Sequence, residues 1–197
     1  MMDGNDQMQG GFSMPGFTAC RVRSMTDWLR IRRLYRRAFP SWERKPFSII
    51  VSMWKKGKTD VWCFRQDGRF AGFAATINGP GLVLVDYLAV TEKRRGQGVG
   101  SRALQEMCAQ YPGCGLFVEI ESPFEDAPNR PERLRRKAFY ERCGFLPSRT
   151  MADVFGTKME LMCHGVMVDF DTYHHFYCEQ YNPRAGEHIR YVPYPEA

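Results

Sequence analysis

Residues 85–104 constrain the fold of this chain more than any other stretch. They read Val85-Asp86-Tyr87-Leu88-Ala89-Val90, then Thr91-Glu92-Lys93-Arg94-Arg95-Gly96-Gln97-Gly98, then Val99-Gly100-Ser101-Arg102-Ala103-Leu104. The apolar, β-branched and aromatic opening predicts a buried strand. Val99, Ala103, Leu104, Met107 and Cys108 recur at helical spacing, so a helix leaves the basic, glycine-rich turn. A strand that passes through such a turn into a helix N-terminus makes an anion site. The first backbone N–H groups of the helix lack partners, and its dipole favours negative charge there. Gly96, Gly98 and Gly100 let an anion approach the backbone, while Lys93, Arg94, Arg95 and Arg102 supply charge. The expected ligand is a pyrophosphate.

Familiar nucleotide motifs do not fit this loop. The dinucleotide fingerprint is G-x-G-x-x-G, whereas here an arginine precedes G-x-G-x-G. A phosphate loop ends in Gly-Lys-Ser/Thr, whereas this one ends Gly-Val-Gly-Ser. A plain strand-to-helix turn is the simpler alternative.

The other elements follow from pattern. Phe17 to Val22 reads as a strand. A helix starts at Thr26, with Trp28, Ile31, Leu34, Tyr35 and Ala38 on one face, and Pro40 ends it. Phe47 to Trp54 suits a second, short helix. Val61–Phe64 and Phe70–Thr76 are strands joined at Asp67-Gly68, and Asn78-Gly79-Pro80-Gly81 turns the chain into Leu82–Val90. After a helix over 99–110 comes the strand Leu116–Glu121, with Leu116, Val118 and Ile120 on one face and Phe117, Glu119 and Glu121 on the other. Following the loop Ser122–Asn129, Pro131 suits a first helical turn. Leu134, Ala138 and Phe139 are expected to bury one side of that helix, which Gly144 terminates. Strands are expected around Ser148–Val154 and Lys158–Val168, then an aromatic helix over Phe170–Tyr181 and an extended tail from Asn182.

Composition narrows the setting. At 197 residues, 44% of them apolar, the chain forms one domain, or one with appendages. A net charge of +6 favours anionic partners: a phosphorylated cofactor, an acidic substrate or nucleic acid. No recognisable nucleic-acid motif accompanies the arginines, so nucleic acid is not an expected partner. Seven cysteines, an odd count without C-x-x-C and with no export signal before them, point to reduced thiols and a cytoplasmic protein. Residues 1–16 are polar and glycine-rich and are expected to form a flexible N-terminal tail. No apolar run is long enough for a bilayer, so no membrane partner is expected. His174 and His175 are adjacent, which does not suit a helical metal pair, and no metal is expected.

Two motifs add a resemblance. Arg95-Gly96-Gln97-Gly98-Val99-Gly100 resembles the Arg/Gln-x-x-Gly-x-Gly/Ala signature of the GNAT superfamily of N-acyltransferases. Within Arg136 to Phe145, the core Phe139-Tyr140, Gly144-Phe145 is similar to that family's Phe-Tyr-x-x-x-Gly-Phe. The element order also matches from Phe17 to Val168. The resemblance implies an α/β (α+β type) fold: a mixed, mostly antiparallel sheet of about seven strands flanked by helices and splayed between the fourth and fifth. The domain would span 17–168, with 169–197 a C-terminal helix and extended tail packed on it or trailing it.

The same resemblance implies a function. Acetyl-CoA would be the cosubstrate, held by Leu88, Ala89, Val90, Arg95, Gly96, Gln97, Gly98, Val99, Gly100, Ser101 and Asn129. An acetyl group would pass by direct attack to a primary amine of a small molecule or peptide. Tyr140 would protonate the departing thiolate, although an amphipathic helix also uses such a tyrosine as core. Glu119 is the expected base, through a water, with Glu121 and Asp86 as alternates. Glu119 and Glu121 lie roughly 6.5–7 Å apart along the strand and would raise one another's pKa; pairing with Arg135 or Arg136 is the alternative. Asn129 could equally cap a helix. The acceptor is expected between Trp42, Glu43 and Arg44 and the last strand pair, a homodimer is open, and the alternative function is a non-catalytic acyl-CoA-binding regulator or nucleic-acid-associated module.

Overall fold

The computed structural model describes residues 16–195; apart from Gly16, the tail expected over 1–16 lies outside them. The chain runs β1 (Phe17–Arg21), α1 (Met25–Ala38), α2 (Phe47–Lys55), β2 (Val61–Gln66), β3 (Arg69–Gly79), β4 (Leu82–Val90), α3 (Val99–Gln110) and β5 (Gly115–Glu121). It continues through α4 (Arg130–Arg142), β6 (Leu146–Val154), β7 (Thr157–His164), α5 (Phe170–Gln180), α6 (Pro183–Gly186) and β8 (Ile189–Val192). Local chemistry sets the boundaries. Ser24 Oγ accepts the Asp27 N–H at 3.1 Å and caps α1, Asp27 sits in its first turn, and Arg36 and Arg37 in its last. The Asp67-Gly68 turn between β2 and β3 takes positive φ at both residues, as a tight hairpin requires.

The eight strands form one sheet in the order β1-β2-β3-β4-β5-β7-β6-β8. Among the described residues only β4 and β5 pair in parallel, over Leu82–Leu84 against Gly115–Phe117. Beyond that point β4 keeps β3 and β5 keeps β7, so the sheet splays as expected. A second irregularity sits beside the splay. Ala75 pairs with Tyr87 but Thr76 with Val85, which leaves Asp86 as the extra residue of a β-bulge. The bulge resets the side-chain alternation. Val83 and Val85 pack with α3 and α4; after Asp86, it is Leu88 and Val90 that join this layer, while Tyr87 and Ala89 face α1.

One face of the sheet packs on α3 and α4 around Leu104, Met107, Phe145 and Met162, all fully buried. The other carries α1 and α2 over Phe73, Ala75 and Tyr87, and α5 over Ile77, Leu84 and Phe117. Three sequence expectations need correction. The segment from Asn182 is not an extended tail: Asn182 Oδ1 caps α6, and β8 pairs with β6 from Met151↔Val192 to Val154↔Ile189. This adds an eighth strand. Leu134 is 44% exposed, because α4 joins the core through Phe139 and Tyr140 instead. The last expected strand ends at His164, where Gly165 takes positive φ and turns the chain. Among the described residues no helix is long and apolar enough to cross a membrane.

Candidate active site

Two clefts meet where β4 and β5 part. The first lies against the glycine loop. Gly96 and Gly98 take φ of +73° and +75°, with open space where a Cβ would stand, so the backbone conformation and not crowding calls for glycine. Gly100 differs: a Cβ there would come within 3.1 Å of the Phe139 ring, so its absence lets α3 approach α4. No side chain caps α3, which leaves its first-turn N–H groups facing the loop. Arg94 bonds Asp67 and Gln97, and Arg95 Nε donates to the Val90 carbonyl at 3.4 Å. The resulting cavity, about 420 Å³, is walled by Leu88, Val90, Gly96, Gly98, Gly100 and Tyr140 among others, with Val99 and Ser101 at its helical side.

The second cleft, about 540 Å³, reaches towards α1 and α5 and shares Leu88, Val90, Arg95, Arg136 and Tyr140 with the first. Its floor holds three of the expected carboxylates. Glu119 Oε1 accepts hydroxyl hydrogen bonds from Tyr173 and Tyr177, each at 2.8 Å. Burial pushes the Glu119 carboxyl above the usual range, the Asp86 charge adds to this, and Lys45 and the two hydroxyls pull it back. Asp86, turned out by the bulge, receives Lys45 Nζ at 2.7 Å and the Tyr181 hydroxyl at 3.2 Å. Tyr173, Tyr177 and Tyr181 therefore form one stripe at i, i+4 and i+8, reaching from α5 down onto both carboxylates.

Glu121 is held differently. Arg133 Nε lies 2.8 Å from its Oε2 and Asn129 Nδ2 donates to the same oxygen at 2.9 Å. Across from it stands Glu43, whose carboxyl is raised to about 7 by burial and by Glu121. Tyr140 is buried, which raises its hydroxyl to about 12 and leaves it protonated at neutral pH. At the mouth, Trp42 is 81% exposed and Phe155 60% exposed.

Most of the residues expected from sequence converge here. Tyr140, Glu119, Glu121, Asp86, Leu88, Ala89, Val90 and Arg95 line the second cleft; Gly96, Gly98, Val99, Gly100 and Ser101 line the first. The side chains of Gln97 and Asn129 line neither. Gln97 Nε2 donates to the Lys93 carbonyl at 2.8 Å, and Asn129 supports Glu121 and Arg133. The carboxylate–arginine alternative holds for Glu121 alone, with Arg133; Arg135 pairs with Glu132. Sequence reasoning missed Lys45 and the three tyrosines. The tyrosines did carry a signal, their spacing of four, but nothing in the sequence says which strand they meet.

Residues 28–145 match the acetyltransferase (GNAT) family. The chain belongs to that family. The GNAT fold is shared with solved structures at low identity. A GNAT-family protein from Bacteroides thetaiotaomicron aligns over 84% of this chain and 98% of its own, at TM-score 0.67 and 20% identity. The ribosomal-protein-S18-alanine N-acetyltransferase of Escherichia coli aligns over 75% and 92%, at 0.58 and 18%. Arabidopsis thaliana Naa50, in complex with the bisubstrate analogue CoA-Ac-MVNAL, aligns over 77% and 99%, at 0.57 and 17%. No curated protein matches in sequence. GNAT acetyltransferases use acetyl-CoA, and the first cleft suits its pyrophosphate: left-handed glycines, uncapped helix N–H groups and clustered arginines converge on one anion-sized space.

Proposed function

We propose that this GNAT acetyltransferase moves an acetyl group from acetyl-CoA to a primary amine of a small molecule or peptide by direct attack. One observation carries the reading. The Glu119 carboxylate and the Tyr140 hydroxyl stand in the wall of one cavity, at the point where β4 and β5 part and the glycine-loop cleft enters. When bound, acetyl-CoA supplies the activated thioester. Residues 95–101 would take its pyrophosphate, and the β4 edge from Leu88 to Val90, freed from β5 by the splay, offers backbone groups to the arm and to the thioester carbonyl.

The protein's own groups divide the proton work. Glu119, fixed by two tyrosine hydroxyls, accepts the proton that the attacking amine must lose, directly or through a water. Tyr140 keeps its proton at neutral pH and donates it to the leaving sulfur. The exposed rings of Trp42 and Phe155 at the mouth suit an acceptor with an apolar or chain-like body beyond its amine. Two of the similar structures named above have peptide- or protein-derived acceptors in their names, which favours a peptide over a small molecule. All seven cysteines are free thiols, which supports a reducing, cytoplasmic setting.

Acetyl-CoA turnover, read as free thiol against peptides with varied N-terminal residues, polyamines and amino acids, tests the reading. Turnover is expected with at least one amine and is lost in Glu119→Gln. Tight acetyl-CoA binding with no turnover on any amine would instead make the chain a regulator that senses the cofactor.

A further inference from the structure

The acceptor cavity already contains a primary amine. Lys45 is the only lysine among the residues that line it; Arg44, Arg95 and Arg136 carry delocalised guanidiniums, which do not serve as amine nucleophiles. The Lys45 ammonium is held from several sides. Its Nζ lies 2.7 Å from Asp86 Oδ1, donates to the Tyr181 hydroxyl, and stands 4.3 Å from the Tyr181 ring centroid and 5.6 Å from that of Tyr87. A carboxylate and two ring faces are what an ammonium ligand needs. Glu119 is close enough for Lys45 to lower its pKa.

Its backbone is pinned while its side chain keeps room. Lys45 N donates to the Tyr87 hydroxyl at 3.2 Å, and its carbonyl accepts from Tyr35 at 2.9 Å. The side chain itself is 27% exposed. Leu88, at the freed edge of β4, lies two residues beyond Asp86, a distance on the order of 7 Å along a strand. Rotation of the flexible four-carbon stem covers that reach.

We propose that Lys45 is a self-acetylation site, its Nζ taking the acetyl group from acetyl-CoA when no external acceptor fills the cavity. The inference rests on the acetyl-transfer reading above. Nζ leaves Asp86 and gives one proton to Glu119. The amine nitrogen bonds to the acetyl carbonyl carbon while the carbon–sulfur bond breaks, and the sulfur takes a proton from Tyr140. The second nitrogen-bound proton restores the Tyr140 hydroxyl. The balance is lysine ammonium plus acetyl-CoA giving acetyl-lysine, coenzyme A thiol and one proton, with no oxidant or reductant. The product carries no charge, so Asp86 loses its counter-ion and the cavity loses the ammonium that blocks it.

The test incubates the full chain with acetyl-CoA and no added amine, then locates acetyl groups by peptide mass mapping. Lys45 is expected to acquire one acetyl group at least about tenfold faster than the exposed Lys55 and Lys56, as a positioned amine should. The rate per chain should not depend on protein concentration, and Glu119→Gln should abolish the difference. Lys45→Arg keeps a cation for Asp86 but cannot carry the group; it should fold with unchanged circular dichroism and show no such labelling. Labelling of Lys45 no faster than Lys55 and Lys56, or equal in Glu119→Gln, would overturn the proposal as spontaneous acetylation. Thiol release with an external amine but an unmodified Lys45 would overturn it and leave acetyl transfer standing. Acetyl-CoA binding with neither thiol release nor labelling would overturn both.

Discussion

The two clefts are built on opposite plans. The glycine-loop cleft, the proposed cofactor site, comes mostly from one short stretch, Leu88 to Ser101, with α4 closing it through Arg136, Phe139, Tyr140 and Arg142. The other cleft, the proposed acceptor site, is set by side chains drawn from distant segments: Lys45 before α2, Asp86 on the bulge and Glu119 on β5, held by Tyr173 and Tyr177 of α5 and by Tyr181 just past its end. A backbone site depends on local dihedral angles and tolerates little but glycine. A side-chain site depends on which elements the topology brings together, and it can change one residue at a time.

Substitutions on each side should therefore fail in different ways. The largest effect belongs to Glu119→Gln, which removes the proposed base but keeps an acceptor for both tyrosine hydroxyls. kcat is expected to fall by about 10²–10⁴, with acetyl-CoA affinity unchanged by calorimetry. An equal loss in both quantities would erase the division between the clefts. Gly98→Ala should do the reverse. Its +75° φ strains any side chain by about 1–2 kcal/mol, so acetyl-CoA affinity should drop about tenfold while kcat at saturation holds.

Smaller effects sharpen the acceptor side. The proposed base must be ionised to act, so kcat/KM should fall as pH drops through the Glu119 pKa, at a pH above the ordinary carboxylate range. The Tyr177 hydroxyl stabilises the charged form, so Tyr177→Phe should move that limb to higher pH and lower activity several-fold near neutrality. A limb that stays in place would deny the tyrosine stripe its role. The smallest effect concerns Glu43. Its carboxyl titrates near 4.5 when exposed in the unfolded chain but near 7 in the folded one. The stability it contributes is complete below about 4.5 and is lost as pH rises through about 7. Glu43→Gln should thus raise Tm at pH 8 and not at pH 4, by roughly 2–4 °C if screening leaves about 1 kcal/mol.

What could be read from the sequence follows the same division. The glycine loop, the Asp67-Gly68 hairpin, and the helices over 25–38 and 99–110 are local patterns, and all are present. The bulge at Asp86 was hidden because it is a property of the register between β3 and β4, not of either strand. β8 was hidden because prolines flank Ile189–Val192, and only the free edge of β6 makes that segment a strand. Leu134 kept helical spacing yet stays exposed, since α4 crosses the sheet near its C-terminal end. Lys45 and the tyrosines acquire a role only through contacts more than 40 residues away in sequence.

The match to the family ends at residue 145, and all three tyrosines lie beyond it. Glu119, the proposed base, lies inside the matched residues, while α5, which holds its carboxylate through Tyr173 and Tyr177, lies outside them. Exchanging α5 between GNAT chains is therefore expected to change the grip on Glu119 and to leave the glycine loop, which lies inside the match, as it is.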